Sequence, residues 1–295
     1  MGSVSIHFGN FNLAWDELRH KFARTREPGC IHTRGMWRRL RQNAPSVMLF
    51  GFRYCIGRCL EPALLESIVR TRPALTRQMS RHRVPLGLLL LSRQQITQAQ
   101  LSAALEAQRN SGSGKIGEWL LALGCVTQHQ ITAALARQWR CPIVRNASAL
   151  PSSDHVPSLP LALLQSNRMI PVGYSRLRSS LYMAFSEGID YNSLYAIEQM
   201  TQCHTEPCIA SPDLISVAID VFASRNSGNE IVFECGTDLR ELAHIVHSYC
   251  ARLSPSEVRI SLAGTYIWIR LVGHGPTVDL LFRCSKSTEH PASAS

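Results

Sequence analysis

The sequence predicts an α+β protein in which a tandem helical-hairpin repeat is followed by a small α/β layer. A basic N-terminal segment precedes the repeat, and a small C-terminal helix-plus-meander domain follows the layer. Three observations lead to this prediction. A pattern recurs at an offset of thirty residues, short apolar strands alternate with helices after it, and the excess positive charge is confined to the N-terminus.

The charge of the chain is unevenly distributed. Its 295 residues include 31 Lys and Arg against 21 Asp and Glu, and residues 1–83 alone hold 15 against 5. The remainder is neutral, with 16 residues of each sign. A basic module joined to a neutral body suits an acidic partner at the N-terminus only. With 45% hydrophobic residues, the chain is long and apolar enough for two or three folded domains.

Residues 1–83 are the predicted basic N-terminal segment, with one helix near residues 62–72. The stretch Tyr54-Cys55-Ile56-Gly57-Arg58-Cys59 resembles half of a treble-clef-like zinc knuckle. Zinc takes four tetrahedral nitrogen or sulfur ligands, so upstream residues would have to complete the set. The candidate ligands are Cys30, His32, Cys55 and Cys59. The alternative is that Cys55 and Cys59 are small buried apolar side chains.

The repeat lies within residues 84–144, the predicted helical part of the next domain. Ten of 23 aligned positions are identical between the two copies. The residues that recur thirty positions later are Gly87, Leu90, Leu91, Thr97, Gln98, Gln100, Ala103, Ala104, Leu105 and Gln108. Each copy predicts a short helix, a turn and a longer helix. Segments 97–100 and 127–130 both match the capping box that starts a helix.

Residues 150–224 predict the α/β part of the same domain. The predicted strands cover 169–172, 181–185 and 205–210, and the predicted helices begin at Leu161 or cover 191–200 and 213–222. A Ser/Gly/Asn linker is predicted at 225–230, followed by the C-terminal domain at 231–284. That domain is predicted to contain a helix at 237–253 and strands at 258–262, 266–272 and 278–283, before a disordered tail at 285–295.

The doubled pattern resembles the MshEN domain, the N-terminal domain of type II secretion and type IV pilus assembly ATPases. The first copy supplies Leu86, Gly87, Leu90, Leu101, Leu105 and Gln108. The second supplies Lys115, Ile116, Gly117, Leu120, Gly124, Ile131, Leu135 and Gln138. Pro85 and Lys115 stand where the family has arginine, and Gln94 stands where it has glycine. The resemblance covers about residues 84–224, so we expect a stand-alone domain of this type without the ATPase module.

The resemblance implies a ligand, because some members of the family bind cyclic di-GMP. This dinucleotide is two-fold symmetric, so two similar motifs can each hold one half. Glycine beside a helix start lets a phosphate approach the backbone, and glutamine can donate hydrogen bonds. Lys115 and Arg83 can balance the phosphate charge. The alternative is that the same leucines form a helical core in a docking module that binds no nucleotide.

No catalytic set is visible, and we do not predict an enzyme. Residues 111–116 resemble the end of a phosphate-binding P-loop, but Ile116 stands where that loop needs Ser or Thr. The longest apolar run is too short for a membrane span, and we expect a cytoplasmic protein with reduced thiols. We therefore predict a non-catalytic regulatory module linked to secretion or pilus machinery. The alternative is a nucleic-acid-binding protein that uses the basic, zinc-stabilised N-terminal segment.

Overall fold

The computed structural model of the chain describes residues 45–71, 83–145, 156–225, 229–235 and 238–284. The candidate zinc ligands Cys30 and His32 and the predicted tail lie outside the described residues.

The described residues form an α+β fold. Its helices are α1 (Leu60–Thr71), α2 (Leu86–Ser92), α3 (Gln98–Ser111), α4 (Ile116–Ala122), α5 (Gln128–Trp139), α6 (Leu161–Ser166), α7 (Tyr191–Thr201), α8 (Pro212–Arg225) and α9 (Leu239–Leu253). Its strands are β1 (Ser46–Leu49), β2 (Phe52–Cys55), β3 (Met169–Ser175), β4 (Ser180–Phe185), β5 (His204–Ile209), β6 (Glu230–Cys235), β7 (Glu257–Ala263), β8 (Tyr266–Val272) and β9 (Val278–Cys284). None of the described helices combines the length and apolar composition needed to cross a bilayer.

Each copy of the repeat folds as a short helix followed by a longer one, α2 with α3 and α4 with α5. Both predicted capping boxes are confirmed. Thr97 Oγ1 accepts from the Gln100 N–H at 3.3 Å, while Gln100 Oε1 accepts from the Thr97 N–H at 2.8 Å. The second copy has the same pair of hydrogen bonds at the same two distances, between Thr127 and Gln130. Each long helix therefore starts where its sequence fixes it.

The α/β part is a three-stranded sheet in the order β3-β4-β5. Strands β3 and β4 are antiparallel, and α7 connects β4 to the parallel strand β5. The segment after α5 joins this sheet through an isolated bridge between Ile143 and Ile209. In this bridge the Val144 N–H donates to the Ile209 carbonyl at 2.8 Å. The end of the repeat is therefore fixed to the edge of the sheet.

The second sheet has six strands in the order β2-β1-β7-β8-β9-β6. The sequence analysis assigned residues 46–71 to a separate N-terminal segment, whereas here they share a sheet and a core with residues 230–284. Strands β1, β2 and β6 were not predicted, because β1 and β2 have only four residues each and the 225–230 linker runs into β6. The β1–β2 turn places Phe50 and Gly51 at φ of 49° and 81° without the usual Asn-Gly signal.

The six-stranded sheet is buried on both faces. Helices α1 and α9 cover one face, where Leu64, Ile68 and Val246 are fully buried. The opposite face belongs to the same hydrophobic core as the repeat and the α/β part, to which it contributes Tyr266 and Trp268. Successive residues of a strand point to opposite faces, which is why β8 serves both cores.

A buried ion pair lies where the six-stranded sheet meets the α/β part. Arg270 and Asp279 are joined by two hydrogen bonds of 2.7 and 2.8 Å, and both side chains are 6% exposed. The Trp268 indole N–H also donates to Asp279, at 2.8 Å. Arg270 further donates to the Ser158 carbonyl at 2.6 Å, and Arg259 donates to the Met200 carbonyl near the end of α7 at 2.8 Å. Arginine side chains of the sheet therefore hold backbone groups of the α/β part.

Candidate functional site

The two glycines of the paired motifs are buried where the helices of the repeat pack together. Gly87 and Gly117 are the second residues of α2 and α4, and both are buried. A Cβ on Gly87 would lie 2.6 Å from Leu101 Cδ1, and one on Gly117 would lie 3.2 Å from Leu86 Cδ2. Leucine side chains therefore fill the space that a side chain on either glycine would need. The expectation that these glycines let a phosphate approach the backbone stays a prediction. Their role in this structure is close helix packing.

The two motif glutamines make equivalent and reciprocal hydrogen bonds. Gln108 Nε2 of the first copy donates to the Gly114 carbonyl, which precedes α4 of the second copy, at 2.8 Å. Gln138 Nε2 of the second copy donates to the Val84 carbonyl, which precedes α2 of the first, also at 2.8 Å. Donors and acceptors are each thirty residues apart. The two copies therefore face each other with approximate two-fold symmetry, each long helix holding the leading segment of the other copy.

The apolar motif residues belong to the hydrophobic core of the repeat. Leu90 and Leu120 are completely buried, and the remaining members are nearly or partly buried. Those others are Leu86, Leu101, Leu105, Ile116, Ile131 and Leu135. These side chains pack together in the core, next to the two leading segments whose carbonyl groups accept from Gln108 and Gln138.

Lys115 begins the second motif and is held by a carboxylate from the α/β part. Its ammonium group forms an ion pair with Glu187, which lies in the loop between β4 and α7. Arg168 binds the other oxygen of Glu187 at 2.8 Å. The hydrogen bond from Lys115, with the charge of Arg168, lowers the pKa of Glu187 even though partial burial opposes the shift. Glu187 therefore remains ionised at neutral pH.

Arg83 lies two residues before the leading position of the first motif, and its guanidinium packs against an aromatic side chain. Its guanidinium carbon is 3.4 Å from the centre of the Trp139 ring, which is 6.1 Å from the ring of Tyr191. Gly188 lies against the Trp139 ring, and a Cβ there would be 3.1 Å from it. The loop that supplies Glu187 to the second motif therefore also supports the aromatic partner of the first.

Two residues of this site were missed by the sequence analysis. Trp139 directly follows the motif residue Gln138, so its position next to the site could have been noticed. Glu187 lies outside both copies, and no sequence signal connects it with Lys115. Its position depends on how the α/β part packs against the repeat.

The charge around the paired motifs favours an anion. Residues 84–144 contain five Lys and Arg against two Asp and Glu, and Arg83 and Arg145 flank them, so the repeat and its flanks have a surplus of five positive charges. Long-range attraction by such a surface raises the local concentration of negatively charged ligands.

The candidate zinc ligands are only partly described. Cys55 ends β2, Cys59 immediately precedes α1, and both side chains are half-buried. Across the described part of the chain, no three His, Cys, Asp or Glu side chains converge as a metal site. The described residues therefore supply two of the four predicted ligands, and the zinc site stays a prediction.

No protein-family model matches this chain, and no curated protein matches it. Solved structures do. The structure of MshE with cdg, which is cyclic di-GMP, is 30% identical in sequence and has a TM-score of 0.42; the match covers 48% of this chain and 99% of that chain. Two crystal forms of the N-terminal domain of XpsE are 21% and 23% identical, with TM-scores of 0.37 and 0.30; the matches cover 46% and 44% of this chain and 91% and 89% of theirs. Because 30% identity extends along almost all of the matched MshE chain, and the motif is doubled at an offset of thirty residues, this chain contains a domain of the MshEN family.

Proposed function

We propose that this chain is a non-catalytic regulatory module whose paired motifs bind cyclic di-GMP. The observation that carries the proposal is the reciprocal pair of hydrogen bonds from Gln108 and Gln138, each 2.8 Å long. Two leading segments held in the same way around an approximate two-fold axis match a ligand with two equivalent halves. The surplus of positive charge on the repeat suits the two phosphates of that ligand.

The side chains proposed to contact the dinucleotide are those with atoms near the surface. Leu86 and Ile116 are partly buried and can lie against the guanine faces. Gln108 and Gln138 can exchange a backbone carbonyl for a polar group of the ligand. Lys115 and Arg83 would balance the phosphates. The remaining motif residues shape the site from below through their packing.

The comparisons support this proposal. The matched MshE structure contains cyclic di-GMP, and the matched XpsE structures are N-terminal domains. We further propose a protein partner from secretion or pilus machinery.

The proposal is tested by titrating the full chain with cyclic di-GMP in a calorimeter. One dinucleotide should bind per chain, and Gln138→Ala should weaken binding about twofold to tenfold, the value of one hydrogen bond. Gln98→Ala is the matched control, because Gln98 is exposed on α3 outside the motifs. Gly117→Trp should abolish binding, since even a Cβ there approaches Leu86 at 3.2 Å. Absence of binding by the unsubstituted chain would refute the proposal.

A further inference from the structure

Glu187 is the only carboxylate among the described residues that is ion-paired with a motif residue. Its loop, residues 186–190, lies outside the paired motifs and connects β4 to α7. One oxygen binds the Lys115 ammonium, and the other binds Arg168 at 2.8 Å. A carboxylate between two cations occupies the same kind of position that a phosphate would take.

The exposure of the three side chains indicates that the contact can open. Lys115 and Arg168 are 63% and 65% exposed, and Glu187 is 32% exposed. Ion pairs this accessible to water contribute little stability, so an incoming anion can replace one partner. The first copy has Pro85 at the position of Lys115 and therefore has no such ion pair there. The carboxylate thus acts on one half of an otherwise symmetric site.

We propose that Glu187 is a built-in competitor that occupies Lys115 until a ligand phosphate displaces it. The inference rests on the proposed function, because it assigns regulation to the same site. When the phosphate binds Lys115, Glu187 retains Arg168 as its partner, so no buried charge is left unpaired. The loop carrying Glu187 also supports Trp139 through Gly188. Displacing Glu187 from Lys115 would therefore also change the support of Trp139, the aromatic partner of Arg83.

The test compares cyclic di-GMP binding by the full chain and by Glu187→Gln. The variant should bind about threefold to fivefold more tightly at low salt, because Lys115 no longer has to exchange partners. The difference should shrink towards zero near ~0.5 M salt, where exposed charges are screened. Glu234→Gln is the matched control, since it removes one exposed carboxylate paired with Arg283 on the distant sheet.

Equal or weaker binding by Glu187→Gln, with the unsubstituted chain binding normally, would overturn this inference and leave the proposed function intact. Failure of both proteins to bind would overturn the proposed function and the inference together. If Glu187→Gln does not fold, Glu187→Asp keeps the charge but shortens the side chain by one carbon. It should then bind more tightly than the unsubstituted chain by a smaller factor, and unchanged binding would overturn the inference.

Discussion

The turns between the two helices of each copy allow a stability prediction, because the same turn contains glutamine in one copy and glycine in the other. Gln94 in the first copy has φ of 59°, and Gly124 at the equivalent position has φ of 65°. Their N–H groups donate to Leu91 and Leu121 respectively, both at 2.9 Å. The backbone is thus the same in both turns, although only one of them has the residue suited to it. Left-handed backbone costs a residue with a side chain about 1 kcal/mol relative to glycine.

Gln94→Gly should therefore raise the free energy of unfolding by up to about 1 kcal/mol, since the relieved strain is offset in part by the freedom that glycine adds to the unfolded chain, and Gly124→Gln should lower it by a similar amount. Steric clash adds nothing at Gly124, because a Cβ there would meet no atom within 4 Å. Gln94 is exposed, so its removal loses no buried contact. Urea unfolding followed by circular dichroism measures both changes, and the dependence of the free energy of unfolding on urea concentration should stay the same. In thermal unfolding, the expected shift in Tm is roughly 2–4 °C.

Arg93→Gly is the control, because Arg93 is exposed and has an ordinary φ of −97°. Glycine there should destabilise the protein by about 0.5–1 kcal/mol through added freedom of the unfolded chain. If Gln94→Gly destabilised the protein as much as Arg93→Gly does, the assigned backbone strain would be wrong.

Three further predictions concern the remaining parts of the chain. Asp279→Asn should lower the free energy of unfolding by about 3 kcal/mol or more in urea titrations, because it leaves Arg270 charged and unpaired in the core. Glu234→Gln, which breaks the exposed ion pair with Arg283, should change it by less than about 1 kcal/mol. Elemental analysis should find one zinc per chain, lost in Cys55→Ser, and a metal-free purified protein would contradict the knuckle. If the basic segment binds nucleic acid, affinity should fall steeply with salt. It should also weaken on deletion of residues 1–44, which removes eight of the fifteen Lys and Arg of that segment and leaves β1 intact; unchanged affinity after that deletion would contradict this alternative.

The sequence predicted the elements that depend on local chemistry. Thr97 and Thr127 are each followed three residues later by the glutamine that completes the capping box, so the starts of α3 and α5 could be predicted without any knowledge of the fold. The helix α9 and the strands β7 to β9 were predicted within about two residues, because an amphipathic face and continuous apolar strands identify them.

The features that were missed depend on distant parts of the chain meeting. Strand β1 is short and takes its identity from pairing with β7, which no local pattern could reveal. In the candidate site, Gln108 and Gln138 were identified by the repeat, but their carbonyl partners lie in the opposite copy. Glu187 joins the site only because the α/β part packs against Lys115.

The pairing of β1 with β7 also affects how the chain folds during synthesis and where it can be truncated. During synthesis the β1–β2 hairpin emerges long before β7, the other strand that β1 pairs with, so the six-stranded sheet is completed only after β7 to β9 have left the ribosome. Until then, the apolar side chains of β1 and α1 lack the residues of α9 and β7 to β9 that bury them in the folded chain. For the same reason, a fragment that begins at the repeat would lack two strands and a helix of that sheet. Laboratory truncations should therefore keep residues 45–71 together with residues 229–284.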